Sequence, residues 1–208
     1  MPSIYVEQPK KILFFSIAKN ASIATSHWLR ELVGEYTKVN GHTEGINVEI
    51  RTGLFYLSEC KKDGYYTFAV VRNPWARMYS AYADYADSVD EVKDKLMELN
   101  GWSEWPSFTD FIKNLDKFEI SGLENWNGKK PAGIVQQTEF LDAEVDLIVE
   151  FENMEESLKP IEDMFELDFP IKIDHSKDFE YRDNYTEETK EIIAKFFKDD
   201  IEKWGYTF

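Results

Sequence analysis

The first strong signal along the chain is Lys11-Ile-Leu-Phe-Phe-Ser-Ile17, an apolar run of strand length with no polar alternation, as in a parallel strand buried on both faces. A polar break, Lys19-Asn20-Ala21-Ser22, follows. Leu29, Leu32, Val33 and Tyr36 then recur at the offsets of one helical face. Residues 65–71 read as a second strand, and Asn73-Pro74 as the N-cap and first residue of a helix carrying Trp75, Met78, Tyr79 and Tyr82 on one side. Ser88-Val-Asp-Glu91 has the spacing of a capping box, and Ser107 precedes Phe108, Phe111, Ile112 and Leu115 at helical spacing. Residues 146–151 form the third strand candidate. Asn153 then opens a helix with Leu158, Ile161 and Phe165. Beyond Pro170, a loop holding His175 and Tyr181-Arg182 leads to one last helix from Thr186, with Ile192, Ile193, Phe196, Phe197 and Ile201 as its stripe.

Strands alternating with helices predict an α/β fold: a central parallel sheet flanked by helices, with a helical, Trp-rich insertion around 88–140. The 208 residues fit one domain, and no Pro/Gly/Ser-rich linker divides them. A hydrophobic content of 43% argues for a packed core. The apolar run near the N-terminus is too short to span a bilayer and makes a poor signal peptide. Cys60, the single cysteine, cannot form an internal disulfide, and a cytoplasmic address is the expectation.

Charge sharpens the picture. The chain carries a net −16, which disfavours nucleic acid and anionic membranes as partners. Residues 1–80 hold 10 Lys and Arg against 7 Asp and Glu, a net +3, whereas residues 81–208 hold 14 against 33, a net −19. A cationic pocket for an anionic ligand must therefore come from the first 80 residues, and the acidic remainder reads as a solvated face. Two strand-to-helix junctions lie in that first stretch, where open α/β sheets bind ligands. At the first, Lys19 stands before a helix N-terminus, itself an anion site, although no G-x-x-x-x-G-K-[ST] loop is present. At the second, Val71-Arg72-Asn73-Pro74-Trp75-Ala76-Arg77-Met78-Tyr79-Ser80 offers arginine forks and a serine hydroxyl suited to a phosphate. Arg77 equally suits a structural pairing with a carboxylate.

The stretch from Val70 to Tyr82 resembles the 3′-phosphate motif of the carbohydrate-type (family 2) sulfotransferases, roughly F-V-R-N-P-Y-x-R-L-x-S-x-Y. Lys19-Asn20-Ala21-Ser22 resembles their 5′-phosphosulfate loop, P-K-N-A-x-T-S. Glu150-Phe-Glu-Asn-Met154 is similar to their F-E-N-L segment. Tyr181-Arg-Asp-Asn-Tyr185 and the last ten residues, Asp199 to Phe208, resemble the closing Y-R-x-Y-Y … D-I-x-x-F-G-Y-x-F. These anchors fall in family order from Lys11 to Phe208. The resemblance implies a single P-loop-like, sulfotransferase-like domain over 1–208, with 3′-phosphoadenosine 5′-phosphosulfate (PAPS) as co-substrate and no metal. It implies that Lys19 meets the sulfuryl group and the bridging oxygen, and that Asn20, Ala21 and Ser22 line the 5′-phosphate. It further implies that Arg72 and Ser80 hold the 3′-phosphate and that Arg182 closes over the nucleotide. Ala18 replaces the usual proline. Ile23 and Ala24 stand where the family places Thr-Ser, with hydroxyls reappearing at Thr25 and Ser26, and Thr25 is expected to join the residues that bind the cofactor.

Sulfuryl transfer needs a base for the acceptor proton. His42 is the first choice, since the family often places a histidine between its phosphate motifs. Glu44 is a fallback, His175 a lesser candidate, and His27 is expected to pack against the sheet beside Trp28. The acceptor is expected to bear a hydroxyl: a neutral glycan, lipid-linked sugar or small alcohol. The tryptophans of 101–126 offer stacking faces for a sugar, or simply core. Two other readings stay open: a catalytically impaired nucleotide-binding protein of the same fold, to which Ile23 and Ala24 would point, and a small P-loop kinase, which the missing Walker glycines disfavour.

Overall fold

A computed structural model describes residues 10–40, 46–51, 63–87, 91–117, 132–141, 143–173 and 181–208. In chain order these residues form β1 (Lys10–Phe15), α1 (Ser22–Asn40), β2 (Ile46–Arg51), β3 (Tyr66–Val71), α2 (Pro74–Asp87), α3 (Glu91–Asn100), α4 (Phe108–Lys113), β4 (Leu147–Glu150), α5 (Met154–Ser157), α6 (Lys159–Phe165), α7 (Glu187–Phe196) and α8 (Lys198–Trp204), with short 3-10 turns between them. The chain divides into two compact units. One is Met1–Val71 with Phe140–Ile173, and the other is Arg72–Glu139 with Asp174–Phe208.

The first unit holds the sheet. All pairings are parallel and the strand order is β2-β1-β3-β4, so the chain leaves β1 for one neighbour and later returns on its other side. Parallel strands buried on both faces read as continuous apolar runs, as β1 and β3 do. The three expected strands are present, each slightly shorter than its apolar run. β2 is an addition to them. Its Ile46, Val48 and Ile50 alternate with Asn47, Glu49 and Arg51, the period-two pattern of a strand, and that alternation is the signal that would have found it. Around the sheet, Phe14 stacks on Phe68 at 5.0 Å and Tyr36 meets Phe165 edge-on at 5.5 Å. Each fully buried ring of this kind contributes roughly 1.5–3 kcal/mol. Trp28 Nε1 donates to the Phe169 carbonyl at 2.6 Å, tying α1 to the chain beyond α6. The helix expected from Asn153 is broken at Leu158, because Pro160 near the start of α6 has no N–H for a fourth-neighbour bond.

The second unit is helical. Trp75, Met78 and Ala81 of α2 join Phe108, Phe111 and Ile112 of α4 and Ile193 of α7 in one apolar cluster. Ser107 caps α4 by accepting from Asp110 N–H, and Thr186 forms a capping box with Thr189 at the head of α7. The single last helix expected from the sequence is two, α7 and α8, divided at the fully buried Phe197. Trp102 and Trp105 pack against Phe111 and against each other, so these two tryptophans of the insertion are part of the core. Trp126 and Ser88 lie outside the described residues.

Candidate active site

The strand order places the sheet's switch point at the carboxyl ends of β1 and β3, where such sheets take their ligands. The loop leaving β1 there has an unusual backbone. Lys19 (φ 69°) and Ala21 (φ 54°) are both left-handed although neither is glycine. Each costs on the order of 1–2 kcal/mol, and strain of this kind gathers at functional turns. Alternating left-handed and ordinary residues is also the backbone pattern that collects N–H groups into an anion-binding concavity.

Three side chains hold this turn. Asn20 is fully buried, and its Nδ2 donates to the Val70 carbonyl near the end of β3 at 2.7 Å. Ser22 Oγ donates to the Ile17 carbonyl at 2.7 Å, which also accepts the Asn20 N–H at 3.3 Å. Thr25 is fully buried and its hydroxyl donates to the Ala21 carbonyl at 3.0 Å, so its proton serves the loop backbone. The first helical bond of α1 runs from Thr25 N–H to that same carbonyl, at 2.9 Å. Ala21 thus sits at the cap position, and its methyl has no acceptor to offer the amides that follow. A helix start capped by alanine with a lysine beside it has the features of an anion site. Ile23, where the family has a hydroxyl, is 78% exposed. His27 is exposed while Trp28 is buried, which corrects the expectation that His27 packs against the sheet.

The helical unit begins at Arg72, the residue after β3, and Arg72 is buried. Its backbone N–H donates to Gln137 Oε1 at 2.9 Å, and its carbonyl accepts from Gln137 Nε2 at 2.9 Å. Asp200, fully buried, accepts from the Gln137 N–H at 2.8 Å, from Gln137 Nε2 at 3.3 Å and from the Thr138 N–H at 2.8 Å. Arg77 is buried as well. Its guanidinium donates to the carbonyls of Val135 (2.8 Å) and Ala132 (3.1 Å), so it serves backbone oxygens, and the carboxylate of Asp200 is felt through its charge. Burial pushes Arg77 down to about 10. The negative charge of Asp200 opposes that shift, and the like charge of Arg72 adds to it.

Asn73 does what its sequence context predicts, accepting from Trp75 N–H at 3.1 Å through Oδ1 as a cap. Its Nδ2 donates to the Thr207 carbonyl at 2.8 Å, and Trp75 meets Phe208 edge-on at 5.7 Å. Tyr185 Oη donates to the Trp75 carbonyl at 2.9 Å. The closing segments of the chain are therefore scaffolding for the Arg72–Trp75 turn. Arg182 is exposed, its guanidinium over the Tyr181 ring at 4.8 Å and the Phe208 ring at 5.9 Å. Ser80 is half-buried on α2. Sequence reasoning missed Gln137 and used Asp200 only as part of a motif. His42, Glu44, His175 and Cys60 lie outside the described residues. Among the described residues, no group of three or more His, Cys, Asp or Glu could hold a metal, and no helix is long and apolar enough to cross a membrane.

Known proteins supply the class. The model of the sulfotransferase family matches residues 2–207, so the chain belongs to that family, whose members are PAPS-dependent enzymes. Among solved structures it is similar in fold to mouse sulfotransferase SULT7A1 complexed with PAP, at 11% identity and a TM-score of 0.51, covering 95% of this chain and 86% of that one. Among curated proteins none matches.

Proposed function

We propose that this protein moves a sulfuryl group from PAPS to the hydroxyl of an acceptor, with a neutral glycan or a small alcohol the favoured class, and that its 208 residues act as one sulfotransferase-like domain. The observation that carries the reading is the Lys19 turn: strained, pinned by Asn20, and leading into a helix whose cap residue is an alanine. PAPS supplies a sulfuryl group on a good leaving phosphate. Lys19 neutralises the charge that builds on the bridging oxygen as the S–O bond to the 5′-phosphate breaks. The backbone of Asn20, Ala21 and Ser22 holds the 5′-phosphate, with Thr25 fixing that backbone. Arg72 and Ser80 take the 3′-phosphate, and Arg182 covers the nucleotide. His42 accepts the acceptor's proton while the acceptor oxygen bonds to sulfur, a role that rests on the family resemblance alone. The strongly acidic stretch 81–208 disfavours polyanionic acceptors by repulsion.

The test is to incubate the protein with PAPS and a panel of sugars and alcohols and to read acceptor masses. The expected result is an acceptor gaining one sulfuryl group. Lys19→Ala should lower turnover by about 10²–10³-fold while still binding adenosine 3′,5′-bisphosphate (PAP). Bisphosphate binding without any sulfated product would favour the catalytically impaired reading, to which the exposed Ile23 in place of a hydroxyl points.

A further inference from the structure

We infer that Gln137, backed by Asp200, is a positioning residue that sets Arg72 for the 3′-phosphate and so governs the choice between nucleotides with and without it. The inference rests on the reading of Arg72 given above. The ladder between β3 and β4 ends at Val71, paired with Glu150. One residue later, the Gln137 side chain supplies what a neighbouring strand would have supplied, bonding both the N–H and the carbonyl of Arg72 at 2.9 Å. The bonding partners fix the orientation of this amide. The Asp200 carboxylate can only accept, so the nitrogen of Gln137 must face it and the oxygen must face the Arg72 N–H.

The rest of the buried network serves this bracket. Asp200 fixes the backbone of both Gln137 and Thr138. Arg77 fixes the carbonyls of Ala132 and Val135 on the turn that leads to Gln137, and Tyr85 Oη accepts the Gly133 N–H at 3.2 Å. Buried charges of this kind are poor stabilisers beside apolar packing, and in some proteins they serve to fix one geometry. Here they hold the 132–138 segment, whose Gln137 side chain makes both bonds to the backbone of a buried arginine just beyond a strand end.

The measurement is the dissociation constant, by calorimetry, of PAP and of adenosine 5′-monophosphate for the wild type, Gln137→Met, Arg72→Ala and the double variant. Gln137→Met is expected to weaken bisphosphate binding by about 10–100-fold, the loss of one to two bonds near a charged group, with monophosphate binding changed less than about threefold. In the Arg72→Ala background the same substitution should do nothing further, because its effect passes through Arg72. Gln137→Asn, which keeps an amide but shortens its reach, should reproduce the selective loss and serves if the methionine variant does not fold. Equal weakening of both nucleotides, or full additivity with Arg72→Ala, would overturn the inference. If Arg72→Ala itself leaves the preference for the bisphosphate unchanged, the assignment of Arg72 fails and the inference falls with it.

Discussion

In the unit built on the sheet, Lys19 stands on a turn held by three hydroxyl or amide side chains and left with backbone strain. In the helical unit, Arg72 sits in a buried lattice whose carboxylate, amide and second guanidinium are each bonded more than once. The first arrangement concentrates its cost in a few dihedral angles and leaves a half-buried lysine able to follow a moving charge. The second spends buried polar groups to fix the backbone of a buried cation. The difference suits the two roles proposed above, Lys19 responding during the reaction and Arg72 only recognising.

If that contrast is right, substitutions should differ in severity in a set order. Asp200→Ala removes the acceptor of three donors and leaves Arg77 buried beside like charge, so a loss of roughly 3–5 kcal/mol in denaturant unfolding is expected. Asn20→Ala removes one buried bond to Val70 and should cost about 1–3 kcal/mol. Equal costs for the two would break the comparison. Glu162 gives a smaller effect that depends on pH. Burial pushes its carboxyl above the ordinary range, and the negative charges of Asp168 and Asp163 add to this. A raised value means that the folded state holds the proton more tightly. The stability tied to Glu162 is then complete below the unfolded pKa and is lost as pH rises through the folded one. Glu162→Gln should therefore raise the melting temperature at neutral pH and leave it unchanged in acid. The smallest effect belongs to Ala21→Gly. Relief of a left-handed alanine should alter stability by less than about 1 kcal/mol, and a larger loss would show that the alanine methyl packs usefully.

Much of this was legible in the sequence, for physical reasons. β1 and β3 are apolar without alternation because both faces are covered, and Asn73-Pro74 and Thr186 are local capping signals that need no tertiary context. The positions of Lys19 and Arg72 just beyond β1 and β3 were legible for the same reason. What stayed hidden was long-range. Asn20 reads as a loop asparagine until β3 provides the Val70 carbonyl. Gln137 lies 65 residues from Arg72, in a segment with no periodic pattern. The division of the last helix at Phe197 was invisible because the apolar stripe continues through the break. The turn strain at Lys19 and Ala21 was equally hidden, since neither residue type favours that conformation.

The most direct test of the central claim is a calorimetric titration of the wild-type protein with PAP, run beside magnesium-ATP. Saturable binding of one bisphosphate is expected, with no comparable binding of magnesium-ATP, and a thermal scan at a hundredfold excess over the dissociation constant should show about 2.7 kcal/mol of added stability. Saturable binding of magnesium-ATP with no response to the bisphosphate would contradict it.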